Sequence, residues 1–96
     1  MAGKADRLAK IFKALSHPNR LKIYSEILKS EAASLEVGCG CFVTEVVRSL
    51  RIGAPTVSHH VKELANADLI IVERRGKFLV CRANPRTIEL VREAFG

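Results

Sequence analysis

Ala54-Pro55-Thr56-Val57-Ser58-His59-His60-Val61-Lys62-Glu63-Leu64 decides how the chain is read. Val57, Val61, Leu64 and Ala65 recur at i, i+4, i+7 and i+8, the spacing of one apolar side of a helix. Thr56, Ser58, His59, Lys62 and Glu63 occupy the other side, and all are polar. Pro55 stands in the first turn, where a missing N–H is harmless, and Asn66-Ala67-Asp68 ends the pattern. Just upstream, Arg51-Ile52-Gly53-Ala54 makes a short connection in which Gly53 is free to take a positive φ. Before it, Val43, Val46, Val47 and Leu50 repeat an i, i+3, i+4, i+7 stripe. Two helices joined by about four residues that include a glycine, the second polar and basic, form a helix-turn-helix.

Downstream, Leu69-Ile70-Ile71-Val72 and Phe78-Leu79-Val80-Cys81 are short β-prone runs. Glu73-Arg74-Arg75-Gly76-Lys77 lies between them as a hairpin tip with glycine at its turn. A basic hairpin directly after a helix-turn-helix is a wing: the helix enters the major groove while the arginines reach phosphates or the adjacent minor groove. Asn84-Pro85 breaks the second strand, and Ile88, Val91 and Phe95 mark a last helix. Upstream, Leu8, Ile11, Phe12 and Leu15 stripe a first helix. Ser16-His17-Pro18-Asn19 interrupts it, and Leu21, Tyr24, Ile27 and Leu28 are read as the stripe of a second. Val37-Gly38-Cys39-Gly40-Cys41 reads as a loop, two glycines flanking a cysteine. The expected fold is mainly α with a β-hairpin wing, in the order ααααββα, a winged helix-turn-helix over residues 1–96.

The chain has 96 residues, room for one domain with one core. Its 48% hydrophobic and 27% charged residues are those of a globular chain and argue against disorder. No run approaches the ~18 apolar residues of a membrane span, and the N-terminus has a basic start without an apolar h-region. Three cysteines are too few for a secreted disulfide framework, so a reducing cytoplasm is the expected compartment. The net charge of +6 is concentrated: residues 48–86 carry eight Lys/Arg against Glu63, Asp68 and Glu73. A polyanion is the natural partner of that segment, because cations that neutralise phosphates release condensed counterions. A solvated basic face is the alternative reading of the charge alone. Enzyme chemistry finds no inventory here: no Gly-rich phosphate loop, no His-Glu-x-x-His, and no nucleophile–base–acid set in one place.

Ala14-Leu15-Ser16-His17-Pro18-Asn19-Arg20-Leu21-Lys22-Ile23 is similar to the opening signature of the ArsR/SmtB family of bacterial winged-helix repressors. The 54–64 stretch resembles that family's recognition helix, and Leu69-Ile70 with Arg74-Arg75-Gly76-Lys77-Phe78 resembles its wing. The resemblance implies a homodimeric, sequence-specific DNA-binding regulator acting on a double-stranded operator, a repressor released by a ligand. It also implies a dimer interface in the first and last helices, to which Leu8, Ile11, Phe12, Leu15, Ile88, Val91 and Phe95 contribute. A modest core points the same way, since pairing hides two terminal apolar stripes; the alternative is that both stripes only cap the core of the single chain. Candidate DNA contacts are Thr56, Ser58, His59 and Lys62 on the helix and Arg74, Arg75 and Lys77 on the wing. His60 lies about 100° around from His59 and is read as a support of the turn helix in preference to a contact. His17 resembles a structural position at the helix junction.

Cys39 and Cys41 are the candidate metal ligands. Thiolates two apart around a glycine can turn towards one soft ion, such as arsenite or Cu(I); zinc wants four ligands, and two sulfurs under-fill it. Aligned on Pro55 to His60, the Cys-x-Cys of metal-sensing relatives falls at Phe42 and Thr44, so this pair is a neighbour of that position and not its equivalent. Cys81 joins as a third ligand only if the hairpin approaches the loop; within an apolar strand it reads as core. Thiol redox switching and ligand-independent DNA binding stay open as alternatives. A winged helix used as a protein-interaction module is the competitor from another class, separated by salt-dependent binding to a random duplex.

Overall fold

The computed structural model describes residues 3–33 and 41–96. Its elements are α1 (Lys4–Leu15), α2 (Pro18–Ala33), β1 (Cys41–Phe42), α3 (Val43–Leu50), α4 (Ala54–Asn66), β2 (Ile70–Arg75), β3 (Phe78–Ala83) and α5 (Pro85–Phe95). The mainly α architecture with a hairpin wing is as expected. β1 is the addition, making an antiparallel sheet of order β1-β3-β2. Cys41 therefore sits in a strand, not in the loop expected for it, and its backbone stands opposite Cys81 while Phe42 stands opposite Val80. Cys39 lies outside the described residues. Among the described residues no helix is long and apolar enough to cross a membrane.

The core is where the helical stripes meet one face of the sheet. Ile11 and Ala14 of α1, Ile23, Tyr24 and Ile27 of α2, and Val46 of α3 close on Val57, Val61 and Leu64 of α4 and on Ile70, Cys81 and Ala83. Two expectations are corrected here. The stripe of α2 is Ile23, Tyr24 and Ile27, while Leu21 is 49% exposed. Stepping back by i−3 from Ile23 reaches Arg20, so a polar residue heads the stripe and the apolar Leu21 falls on the neighbouring face. Ile11, expected at an interface, is 4% exposed and packs inside its own chain.

Local chemistry sets the junctions. The His17 Nδ1 accepts from the Asn19 N–H at 3.2 Å, so the imidazole caps the first turn of α2 behind Pro18. Between α3 and α4 the left-handed residue is Arg51, at φ 54. Gly53, which is free to take that conformation, is the N-cap of α4 at φ −57. The reversal comes directly after the last turn of α3, where the Arg51 N–H still donates to the Val47 carbonyl at 3.1 Å, the position that most often holds glycine. At α5, the Asn84 side chain accepts from the Arg86 N–H at 3.1 Å with Pro85 at the first helical position. The buried Thr87 hydroxyl donates to the carbonyl of Asp68.

Candidate nucleic-acid interface

α4 presents two faces of opposite character. Val57, His60, Val61 and Leu64 are buried, at i, i+3, i+4 and i+7. Thr56, Ser58, His59 and Lys62 are all exposed. The open face thus carries two hydroxyls, an imidazole and an ammonium, with Thr56 in the first turn at the positive end of the helix, where phosphate oxygens are favoured.

The wing is a two-residue hairpin. Arg75 and Phe78 are its last paired residues, with Gly76 and Lys77 at the tip. Gly76 has φ 62 and Lys77 does not share the positive φ, the pattern of a type II′ turn, whose twist matches that of the flanking strands. Arg74, Arg75 and Lys77 are exposed. They are not electrically equal. Glu73 is bracketed by Arg82, whose Nη2 lies 2.5 Å from Oε1, and by Arg75, whose Nη2 lies 3.8 Å from Oε2. Among the described residues Arg74 makes no ion pair, and Lys77 is met only by the face of Phe78, 5.8 Å from its ring centre. Arg82, one of the cations behind the basic excess, is spent inside the hairpin on Glu73.

α1 and α5 meet through two side-chain contacts. Phe12 and Phe95 tilt against each other at 5.7 Å between ring centres, and Lys4 pairs with Glu93 at 3.8 Å. Phe12 is 43% and Phe95 73% exposed. Leu8 is half-buried, and Leu15, Ile88 and Val91 are partly buried against the core. Among the described residues no three His, Cys, Asp or Glu side chains form a group able to hold a metal ion. The thiol candidates Cys39 and Cys41 fall outside that statement; what the fold adds is the opposition of Cys41 and Cys81 across two strands, bringing the third cysteine position beside the second.

Sequence reading left Arg20 unplaced and gave His60 no partner. His60 is 5% exposed, and its Nδ1 accepts from the Arg20 Nε at 3.2 Å. Both occupy apolar-stripe positions of their helices, His60 at i+3 from Val57 and Arg20 at i−3 from Ile23. Two polar residues at stripe positions of different helices were the available signal.

A helix-turn-helix whose second helix turns a polar face outward, followed by a cationic hairpin, defines a winged helix-turn-helix domain. Residues 15–73 match the family described as a helix-turn-helix domain, and the chain belongs to that family, as a transcriptional regulator with a DNA-binding helix-turn-helix domain. It is similar to the transcriptional repressor SdpR of Bacillus subtilis (strain 168), 29% identical over 79 residues that cover 82% of this chain and 78% of that protein. The fold is similar to that of a crystallised ArsR family transcriptional regulator, with TM-score 0.74 and 20% identity over 98% of this chain and 88% of that one. It is also similar to the homodimeric winged helix-turn-helix DNA-binding domain from Mycobacterium bovis, with TM-score 0.69 and 21% identity over 94% of this chain and 79% of that one.

Proposed function

We propose that the protein is a sequence-specific, homodimeric repressor whose grip on its operator is released by a ligand acting at cysteine thiols. The observation that carries the reading is the exposed polar face of α4 beside the Arg74, Arg75 and Lys77 wing tip. In this reading α4 lies in the major groove, with Thr56, Ser58, His59 and Lys62 at base edges and phosphates, while the wing tip holds the backbone or the adjacent minor groove. Similarity to a protein named a transcriptional repressor supports repression. Similarity to a homodimeric domain supports pairing. The exposed, mutually packed Phe12 and Phe95 support α1 and α5 as the surface met by a second copy. Two-fold pairing sets half-site centres about 34 Å apart or a multiple of it.

The releasing ligand is assigned to Cys39 and Cys41, and the opposition of Cys41 and Cys81 supports extending the set to a third sulfur. Two or three thiolates suit arsenite or Cu(I), whereas zinc wants four ligands. The same opposed pair favours a second reading, in which an oxidant acts on the thiols in place of an ion. A reducing cytoplasm is the compartment in which either signal has meaning.

The test is fluorescence anisotropy on a labelled duplex taken from the DNA upstream of the protein's own gene, with and without arsenite or Cu(I). The parent is expected to bind as a dimer with steep salt dependence and to be released by the ion. Release should strengthen with rising pH, because thiols ionise on binding. Cys39→Ser/Cys41→Ser is expected to bind DNA and ignore the ion. Binding indifferent to salt, or a monomer at micromolar concentration, overturns the DNA reading in favour of a protein-interaction module. A double variant that responds like the parent overturns the ion, and release by peroxide alone selects the redox reading.

A further inference from the structure

One imidazole of α4 faces inward. His60 is buried among Val57, Val61 and Leu64 on the inner side of α4. Its Nδ1 accepts the Arg20 Nε–H at 3.2 Å, so that nitrogen carries no proton while the bond exists. Arg20 belongs to the first turn of α2, whose cap is His17. The His17 ring stands 4.5 Å from that of His60 between centres, and the His59 ring 5.6 Å. The titratable and charged groups facing His60 are therefore His17 from the α1–α2 junction, Arg20 from α2, and His59 and Glu63 from α4 itself. Burial first, then the charges of His17, Arg20 and His59, hold the His60 imidazole below its ordinary 6.5, with Glu63 opposing.

We propose that the Arg20–His60 hydrogen bond is a positioning contact that locks the recognition helix against the first turn of α2, and that protonating His60 opens the lock and lowers DNA affinity. The proposal rests on α4 being the DNA-reading helix. His60 touches no DNA; it acts through the helix that carries Ser58, His59 and Lys62. A proton on Nδ1 turns the acceptor into a second donor facing the Arg20 Nε–H and adds a cation beside a guanidinium and two more imidazoles. The contact that set the seating of α4 becomes repulsive. The polar face lies on the other side of the same helix, so a shift that relieves the repulsion displaces every candidate contact at once. The stability the lock contributes is complete above the unfolded-state value near 6.5 and is lost as the pH falls through the interval down to the lowered folded value.

The measurement is DNA affinity at pH 7.5 and at pH 5.5, at constant ionic strength, for the parent and for His60→Asn. Asparagine keeps an acceptor oxygen near the Nδ1 position and cannot be protonated. Acidification also alters the charge of the rest of the molecule equally in both proteins, so the signal is the difference between the two profiles. The parent is expected to lose affinity on acidification relative to His60→Asn severalfold and by no more than about 10-fold per protomer, the ceiling set at pH 5.5 by one proton on a group that titrates below 6.5. Independently of any variant, a histidine NMR titration of the parent is expected to find His60 as the Nε2–H form, titrating below 6.5. Parallel affinity profiles, or His60 titrating at or above its ordinary value, overturn the lock while leaving α4 as the DNA reader. Failure of the parent to bind any duplex at pH 7.5 overturns the DNA reading and the lock with it.

Discussion

Replacing Arg74 with alanine separates the working cations of the wing from the neutralised ones. Arg74 makes no ion pair among the described residues, whereas Arg82 and Arg75 share the two oxygens of Glu73. Each lysine or arginine that neutralises a phosphate adds roughly 0.9 to the slope of log affinity against log salt, so a fourfold rise in salt, from about 50 to 200 mM, costs about 3.5-fold in affinity per contact. Over that range Arg74→Ala is expected to lose about 3.5-fold less affinity than the parent, on any duplex, because a phosphate contact carries no sequence information. Glu73→Gln is expected to act in the opposite sense: it frees Arg75 from its partner and steepens the slope. Anisotropy titrations on a random duplex at four or five salt concentrations measure both. An Arg74→Ala line parallel to that of the parent refutes the assignment of Arg74 to phosphate. A Glu73→Gln line shallower than the parent's refutes the view that the carboxylate restrains the wing.

Other consequences can be checked on the purified chain. His59→Ala and Ser58→Ala are expected to weaken DNA binding with little change in thermal midpoint, since both side chains are exposed, whereas Val61→Ala should cost about 1–3 kcal/mol of stability, or about 4–8 °C of midpoint per kcal/mol in a domain of this size. Phe95→Asp is expected to shift sedimentation from dimer to monomer while the far-ultraviolet spectrum stays that of the parent, since the ring is largely outside the core. Arg51→Gly is expected to be more stable than Arg51→Ala by about 1 kcal/mol, as left-handed strain on a Cβ-bearing residue exceeds the extra chain entropy of glycine. That order is the reverse of the one found inside a helix, and calorimetry of the pair decides it.

The parts legible from sequence are those where apolar spacing alone sets the outcome. Val57, Val61 and Leu64 on α4, and the two β-prone runs around Glu73 to Lys77, give the helix and the wing because their apolar spacing suffices by itself. The parts that were not legible involve a polar residue at a buried position or a pairing between distant segments. Arg20 and His60 satisfy each other across two helices; a stripe read by hydrophobicity passes over both and settles on Leu21. The pairing of β1 with β3 joins residues about forty positions apart, and two residues are too short a run to show alternation. Gly53 attracted the positive φ because glycine tolerates it, but the helix end after Leu50 demanded it two residues earlier, and Arg51 accepts the strain.

β2 is an outer strand of the sheet, and an outer strand offers its unpaired N–H and C=O groups to any other strand, including one from another molecule. Here its far half is Glu73, Arg74 and Arg75, so two copies that tried to align along this edge would bring like charges together. The arginines assigned to DNA thus serve the chain before it meets DNA, keeping an open sheet margin from templating aggregates. Variants that neutralise several wing cations together are expected to lose solubility along with affinity, so the wing has less freedom to vary than its exposed position implies.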